Sequence, residues 1–333
     1  MLPWIFENIT FVDSDPYTQS HPTMTSTVSA QFCRSVLDRD ATALLMSKYI
    51  KRCAFFSSPV LSRWSPVFFS LYFETVKHMP NLLQLSLTYA VIPKVFFRCI
   101  PNIPQLETMK LDCCSLDGVV EEKHLKKFSG LKLKSLVLRD ASNLHRLLPY
   151  LNMSYLLRLE LKTFANFDSL PVPSQNLPLE FLSLDSIQVP FHLYEFLKKT
   201  PSLKSLRVSF PSPGPASIWP ESKLETIHAP VLAEIEANWP LCQTLIPGRP
   251  ISSLKLGSCS TEMGIKEIQI MKKSTCPITS LKVPCGLYLK VPLVDHFPSL
   301  RRLKMDEVDF QAYRCNAWDQ VRALLSIYIN RFD

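Results

Sequence analysis

The chain has 333 residues, a formal net charge of +8 and an apolar fraction of 47%. This composition is sufficient for a large hydrophobic core. The net positive charge is smaller than that typical of nucleic-acid-binding proteins. The seven glycines form no phosphate-binding loop, and the cysteines and histidines show no zinc-ligand spacing. We therefore expect no enzymatic activity, no metal and no cofactor.

The N-terminal stretch lacks the basic and then apolar regions of a secretory signal. No run approaches the roughly 20 apolar residues that a membrane-spanning helix needs. We therefore expect an intracellular protein, in the cytoplasm, the nucleus or both, with reduced cysteines and no membrane partner.

Residues 1–60 have the least regular pattern and are interpreted as irregular N-terminal repeats that cap the chain. Residues 28–45 show helical spacing of apolar residues. Two early strands are predicted around apolar triplets, which are Phe6/Ile9/Phe11 and Ile50/Cys53/Phe55.

One six-residue pattern, L-x-x-L-x-L, recurs along the rest of the chain and is called the hexad here. Leu179-Glu-Phe-Leu-Ser-Leu184 is its clearest copy. Successive middle positions lie 21 to 27 residues apart, which is typical of leucine-rich repeats. The other copies are Leu82/Leu85/Leu87, Leu106/Met109/Leu111, Leu133/Leu136/Leu138, Leu156/Leu159/Leu161, Leu203/Leu206/Val208, Leu224/Ile227/Ala229, Ile251/Leu254/Leu256, Ile278/Leu281/Val283 and Leu300/Leu303/Met305.

The hexad predicts an α/β fold, a leucine-rich repeat solenoid. In a strand the last two apolar positions of a hexad point the same way, into the coil, while the residue between them points outward. Stacked copies would bury the leucines and form a parallel sheet along the concave face of a horseshoe-like arc, with helices or irregular segments on the convex face. We assign residues 61–309 to this solenoid, within one continuous domain.

Helical spacing of apolar residues predicts helices on the convex face. Two stretches depart from the regular repeat length. The proline-rich range 211–220 is predicted to be a rigid loop, and 231–250 to lengthen one repeat. Residues 310–333 are expected to contain a helix that caps the last coil. The other predicted helices cover 64–78, 144–151, 191–199, 262–273 and 292–297.

The residue between the last two apolar positions of each hexad should line the concave face. In the C-terminal half these residues are basic or titratable, and Arg302 lies on the same strand face as Lys304. We predict that this surface binds an acidic segment of a protein partner; the alternative is an ordinary solvated strand face. The candidate residues are Arg207, His228, Lys255, Lys282, Arg302 and Lys304.

The hexads, the prolines that precede many of them and the stretch Pro247-Gly-Arg-Pro-Ile-Ser-Ser-Leu-Lys-Leu256 resemble the leucine-rich repeat region of F-box-type proteins, especially divergent fungal members. In that family an F-box docks on the adaptor subunit of a cullin-type ubiquitin ligase and the repeats capture the substrate. Leu2-Pro3 is similar to the start of an F-box, but the helical run is interrupted by Asp13-Ser-Asp-Pro16 and Ser20-His-Pro22, so no intact F-box is present.

The resemblance implies a non-enzymatic protein-recognition module that selects substrates for a ubiquitin ligase. The alternative is a repeat-only scaffold or inhibitor with no link to ubiquitination. The ligase adaptor is expected as a partner only if an F-box is supplied.

Overall fold

A computed structural model describes most of the chain. The described residues are 6–13, 26–57, 66–118, 120–141, 144–162, 172–185, 190–209, 225–257, 264–284, 287 and 291–306. Contacts between residues divide the chain into two compact units, 1–232 and 233–333, which are called the first and second unit here.

Short strands recur once per repeat, as the hexads predict. The strands are β1 Asn8–Asp13, β2 Arg52–Ser57, β3 Gln84–Thr88, β4 Val91–Ile92, β5 Thr108–Asp112, β6 Ser115–Leu116, β7 Ser135–Arg139, β8 Arg158–Lys162, β9 Phe181–Asp185, β10 Ser205–Ser209, β11 Glu234–Ala237, β12 Ser253–Leu256, β13 Ser280–Pro284 and β14 Arg302–Asp306.

Helical segments connect the strands and are short. The α-helices are α1 Ser26–Leu37, α2 Ala41–Ser47, α3 Pro66–Val76, α4 Phe96–Cys99, α5 Glu122–Leu125, α6 Pro190–Leu197, α7 Trp239–Leu245, α8 Ile265–Met271 and α9 Leu293–His296. Turns of 3₁₀-helix lie at Ile100–Asn102, Lys126–Gly130, Leu144–Tyr150 and Met153–Tyr155. None of the described helices is long and apolar enough to cross a bilayer.

The strands of each unit pair in parallel. In the first unit the order is β1-β2-β3-β5-β7-β8-β9-β10, and β4 pairs with β6 separately. In the second unit β11, β12, β13 and β14 follow one another. The middle residues of the hexads lie side by side in this register, for example Leu159 opposite Leu182 and Leu182 opposite Leu206.

The leucines of the hexads form the core. Leu85, Leu159 and Leu182 are fully buried, and so are Leu206 and Leu254. Each buried leucine contributes about 2 kcal/mol through the apolar area removed from water. Because a single strand could not cover these side chains, stacking of repeats stabilises the fold. The predicted α/β leucine-rich repeat solenoid is therefore confirmed.

The two early strands are also confirmed, and aromatic packing stabilises them. Phe11 of β1 stacks on Phe55 of β2 with ring centroids 4.8 Å apart, and both rings contact Tyr72 of α3. The helical pattern of 28–45 is broken into two helices, because Arg39 adopts a positive φ of 61° and the side chain of Asp40 caps the N-terminus of α2 by accepting from Ala43 N.

One predicted hexad, Leu224/Ile227/Ala229, is wrong. Ile227 is 67% exposed and the residues around it form turns. The strand of this repeat is β11, where the buried apolar positions are Leu232, Ile235 and Ala237. The range 231–250 is accordingly a regular repeat with its own strand and helix, and not an insertion.

The remaining predicted helices are shorter than expected or of another type. Among the described residues of 262–273 the helix is α8 alone, and within 144–151 the residues Leu144–Tyr150 form a 3₁₀-helix with Pro149 inside it. Helices α3 and α9 lie within their predicted ranges, and α6 begins one residue before its predicted range. The loop predicted at 211–220 and the capping helix predicted within 310–333 lie outside the described residues.

Candidate recognition surface

Three lysines of the second unit stand side by side on neighbouring strands. Lys255 of β12 is opposite Lys282 of β13, and Lys282 is opposite Lys304 of β14. Neighbouring strands lie about 4.8 Å apart, so these three side chains emerge close together from one face of the sheet. This set is called the lysine row. It is the part of the predicted basic surface that the strand register brings together.

Glu236, and not His228 as predicted from the sequence, occupies the outward position on the strand next to Lys255. It lies opposite Lys255 in the strand register, and its Oε2 is 3.4 Å from Lys255 Nζ. One end of the basic surface is therefore partly neutralised. His228 is half-buried in a bend outside the strands, while Arg302 is the exposed first residue of β14.

Arg207 belongs to the first unit. It lies at the centre of β10, opposite Ser183, and its guanidinium carbon is 5.3 Å from the centre of the Phe181 ring. Arg158 lies closer, 3.9 Å from the centre of the same ring. Phe181 is thus shared by two guanidinium groups, an arrangement that holds both arginines against the sheet.

A buried carboxylate next to these arginines was not singled out from the sequence. The side chain of Glu160 is 3% exposed, although it lies on the outward face of β8. Arg139 donates to its Oε1 from Nε (2.9 Å) and Nη2 (2.7 Å), and Arg158 Nη2 donates to its Oε2 at 3.0 Å. Lys162 Nζ lies 3.5 Å from Oε1. We call this set the Glu160 cluster.

The electrostatics of the Glu160 cluster favour the ionised carboxylate. Burial alone would raise the pKa of Glu160, but the hydrogen bonds from Arg139 and Arg158 outweigh it, and the pKa falls below 4.5. Glu160 therefore carries its negative charge at neutral pH and fixes the positions of three cationic side chains.

The centre of the outward face in the first unit is covered, and does not line open solvent as the sequence predicts. Val137 is 5% exposed, and Glu160 and Ser183 are each 3% exposed. Arg139 and Arg158 lie against Glu160. These three positions are therefore largely removed from solvent, whereas Lys304 in the second unit is exposed.

A third group of polar side chains lies where strands of the first unit end. Ligand atoms of Asp112, Cys113 and Asp140 lie within 4.8 Å of one another. Burial and the neighbouring Asp112 raise the pKa of the Cys113 thiol, so it stays protonated at neutral pH. Asp112 and Cys113 are half-buried and Asp140 is exposed, and acidic groups this close together are common at protein surfaces without an ion.

Parallel strands repeated at this period, with buried leucines on one face, define the leucine-rich repeat class. No family model matches the sequence, and no curated protein matches it significantly.

Several solved structures are similar to the chain. An internalin from Listeria monocytogenes is 13% identical with a TM-score of 0.43, covering 83% of this chain and 81% of that one. TLR13, solved in complex with single-stranded RNA, is 14% identical with a TM-score of 0.42, covering 92% of this chain and 37% of that one. A structure of the yeast Rad7–Elc1 complex is 12% identical with a TM-score of 0.41, covering 90% of this chain and 77% of that one.

Proposed function

We propose that this protein is a recognition module whose lysine row binds an acidic segment of a partner protein. The observation that carries the proposal is the register of β12, β13 and β14, which places Lys255, Lys282 and Lys304 on adjacent strands. The positive charge of this row complements the negative charge of an acidic segment.

The position of the lysine row also supports binding. The row lies on the outward face of a sheet whose opposite face is filled by buried leucines, so the backbone that presents the lysines is rigid. A rigid surface loses little conformational entropy when it binds a ligand. Because exposed charges are screened by salt, this binding should weaken as ionic strength rises.

Charge reversal tests the proposed surface. The variant Lys255→Glu/Lys282→Glu/Lys304→Glu should lose acidic partners in affinity capture from the native cell, quantified by mass spectrometry. The control Lys127→Glu/Lys266→Glu/Lys273→Glu changes the net charge equally at exposed positions outside the strands and should retain those partners. Equal recovery by the two variants would reject the lysine row as the binding surface.

At the finer level we propose that the captured protein is a substrate of a cullin-type ubiquitin ligase, as in the F-box-type proteins that the repeats resemble. This proposal rests on the hexads and on Pro247-Gly-Arg-Pro250. The alternative, a scaffold or inhibitor unconnected to ubiquitination, uses the same surface without the ligase.

Co-purification distinguishes the ligase hypothesis from the scaffold or inhibitor hypothesis. The ligase hypothesis requires that an F-box is supplied in the native cell. Under that hypothesis natively expressed protein should recover the ligase adaptor subunit, and the lysine-row variant should recover the adaptor equally well while losing the substrate. Absence of the adaptor from the wild-type sample would favour the scaffold or inhibitor, and would leave the test of the lysine row unaffected.

A further inference from the structure

Two adjoining clefts lie in the second unit, beside the N-terminal ends of the strands that carry the lysine row. One has a volume of about 350 Å³ and the other of about 600 Å³, and they share a wall formed by Cys276, Pro277, Pro298 and Ser299. Together they form a groove between the loop that precedes β13 and the loop that precedes β14. These volumes fall in the range of pockets that hold a ligand or several peptide side chains.

The smaller cleft has an apolar floor. Met271 is fully buried, Ile278 is 3% exposed and Phe297 is 5% exposed, and all three line it. A bulky aliphatic or aromatic side chain of a ligand would be removed from water there, which favours binding. The floor therefore selects an apolar side chain.

Basic groups lie at both ends of the groove. Lys272 Nζ is 3.1 Å from His296 Nδ1 beside the smaller cleft, and the exposed Arg301 lines the larger one. Among the described residues that line the two clefts, none is acidic. The charge of the groove therefore complements carboxylates on either side of the apolar side chain.

Hydrogen bonds hold the walls of the groove in place. Ser274 Oγ donates to the carbonyl oxygens of Arg249 (3.1 Å) and Ile251 (2.9 Å), and Thr275 N donates to the Arg249 carbonyl at 2.9 Å. On the other side, Leu300 N donates to Phe297 O at 3.0 Å. Pro277 and Pro298 further restrict the two loops. A preformed groove binds a peptide at a lower entropic cost than a flexible loop does.

We propose that this groove is a peptide-binding site for an extended segment in which bulky apolar residues are flanked by acidic residues. The apolar side chain occupies the smaller cleft over Phe297. The flanking carboxylates lie against the Lys272–His296 pair at one end and against Arg301 at the other. This site is separate from the lysine row and does not depend on the function proposed for it.

Fluorescence anisotropy with a fluorescein-labelled peptide, Glu-Glu-Leu-Phe-Glu-Glu, tests the site. Replacing either the glutamates by lysines or the Leu-Phe pair by alanines should weaken binding by about tenfold or more. Equally tight binding of the alanine peptide would overturn the proposal, because it would show charge attraction alone; equal binding of the lysine peptide, or no binding of the parent peptide, would overturn it too.

Variants of the protein test whether the peptide binds in the groove. Cys276→Trp fills the groove from an exposed position, and Lys272→Glu/Arg301→Glu reverses both ends; each should weaken binding by about tenfold. The control Lys127→Glu/Lys266→Glu makes the same change of net charge outside the groove and should bind as the wild type does. If the lysine-row variant loses the peptide while Cys276→Trp retains it, the peptide binds the lysine row and the groove proposal is wrong.

The wild-type protein offers a test that needs no variant. Cys276 is an exposed free thiol in the shared wall. Its alkylation by iodoacetamide, followed by peptide mapping, should slow about tenfold when the unlabelled peptide is saturating. An unchanged alkylation rate under saturating peptide would overturn the proposal.

Discussion

Arg139 holds Glu160 by two hydrogen bonds to the same carboxylate oxygen, from Nε at 2.9 Å and from Nη2 at 2.7 Å. The two residues lie on neighbouring strands, so the pair ties β7 to β8 across the outward face of the sheet. The carboxylate is buried, while the side chain of Arg139 is 41% exposed. Such a pair is stabilising mainly because the buried charge would be costly without its partners.

Replacement of the buried carboxylate should destabilise the first unit. In Glu160→Gln the arginines lose their anionic acceptor, and we expect a loss of roughly 1–3 kcal/mol in the free energy of unfolding, limited by the solvent exposure of the arginines. Urea denaturation followed by circular dichroism measures it. Glu180→Gln, which removes an exposed ion pair with Lys204, should change the same quantity by less than about 0.5 kcal/mol. Equal losses in the two variants would contradict the structural role of Glu160.

The same residue should make stability depend on pH. Because the pKa of Glu160 is lowered in the folded protein, its contribution is fully present above the pKa of an unfolded glutamate, near 4.5, and is lost as the pH falls through the lower folded value. The difference in unfolding free energy between the wild type and Glu160→Gln should therefore be constant at neutral pH and shrink below pH 4.5. A difference that stays constant on acidification would show that Glu160 is not held by the arginines.

Buried Arg249 should be essential to the second unit. It is fully buried, and its Nη1 donates to the carbonyl of Leu245, the last residue of α7, at 2.9 Å. Helix ends leave carbonyls without partners, and this guanidinium satisfies one of them. We expect Arg249→Met to cost about 2–4 kcal/mol in thermal or urea unfolding. Arg98→Met, at an exposed position in α4, serves as the control and should stay within about 0.5 kcal/mol of the wild type.

The placement of β11 can be tested by introducing one charge at either of two isoleucines. Ile235 is 1% exposed, whereas Ile227 is 67% exposed. Ile235→Asp should lower the unfolding free energy by at least about 3 kcal/mol, because it buries a carboxylate among leucines. Ile227→Asp should have little effect. Both unfolding free energies are measured by urea denaturation. A larger loss in Ile227→Asp than in Ile235→Asp would favour the strand predicted from Leu224/Ile227/Ala229 over β11.

Prediction from the sequence succeeded where short-range rules decide the structure. Leu182 and Leu184 lie two residues apart, so in any strand they share a face, and repetition of that spacing specifies stacked parallel strands. Every hexad except the one at Leu224 coincides with a strand of the structure. That copy failed because Leu224/Ile227/Ala229 and Leu232/Ile235/Ala237 match the pattern equally well, and only packing against the neighbouring β12 selects between them.

The amino-acid sequence by itself determined the repeat, the parallel sheet and the lysines at equivalent positions of successive strands, because each depends on residues a few positions apart. The tertiary structure alone decided that Glu236 and not His228 adjoins the lysine row, that Glu160 is buried among cations, and that two loops enclose a groove beside Cys276. These features depend on which side chains meet across different repeats. Strand register and loop packing determine these contacts, and neither produces a local sequence motif.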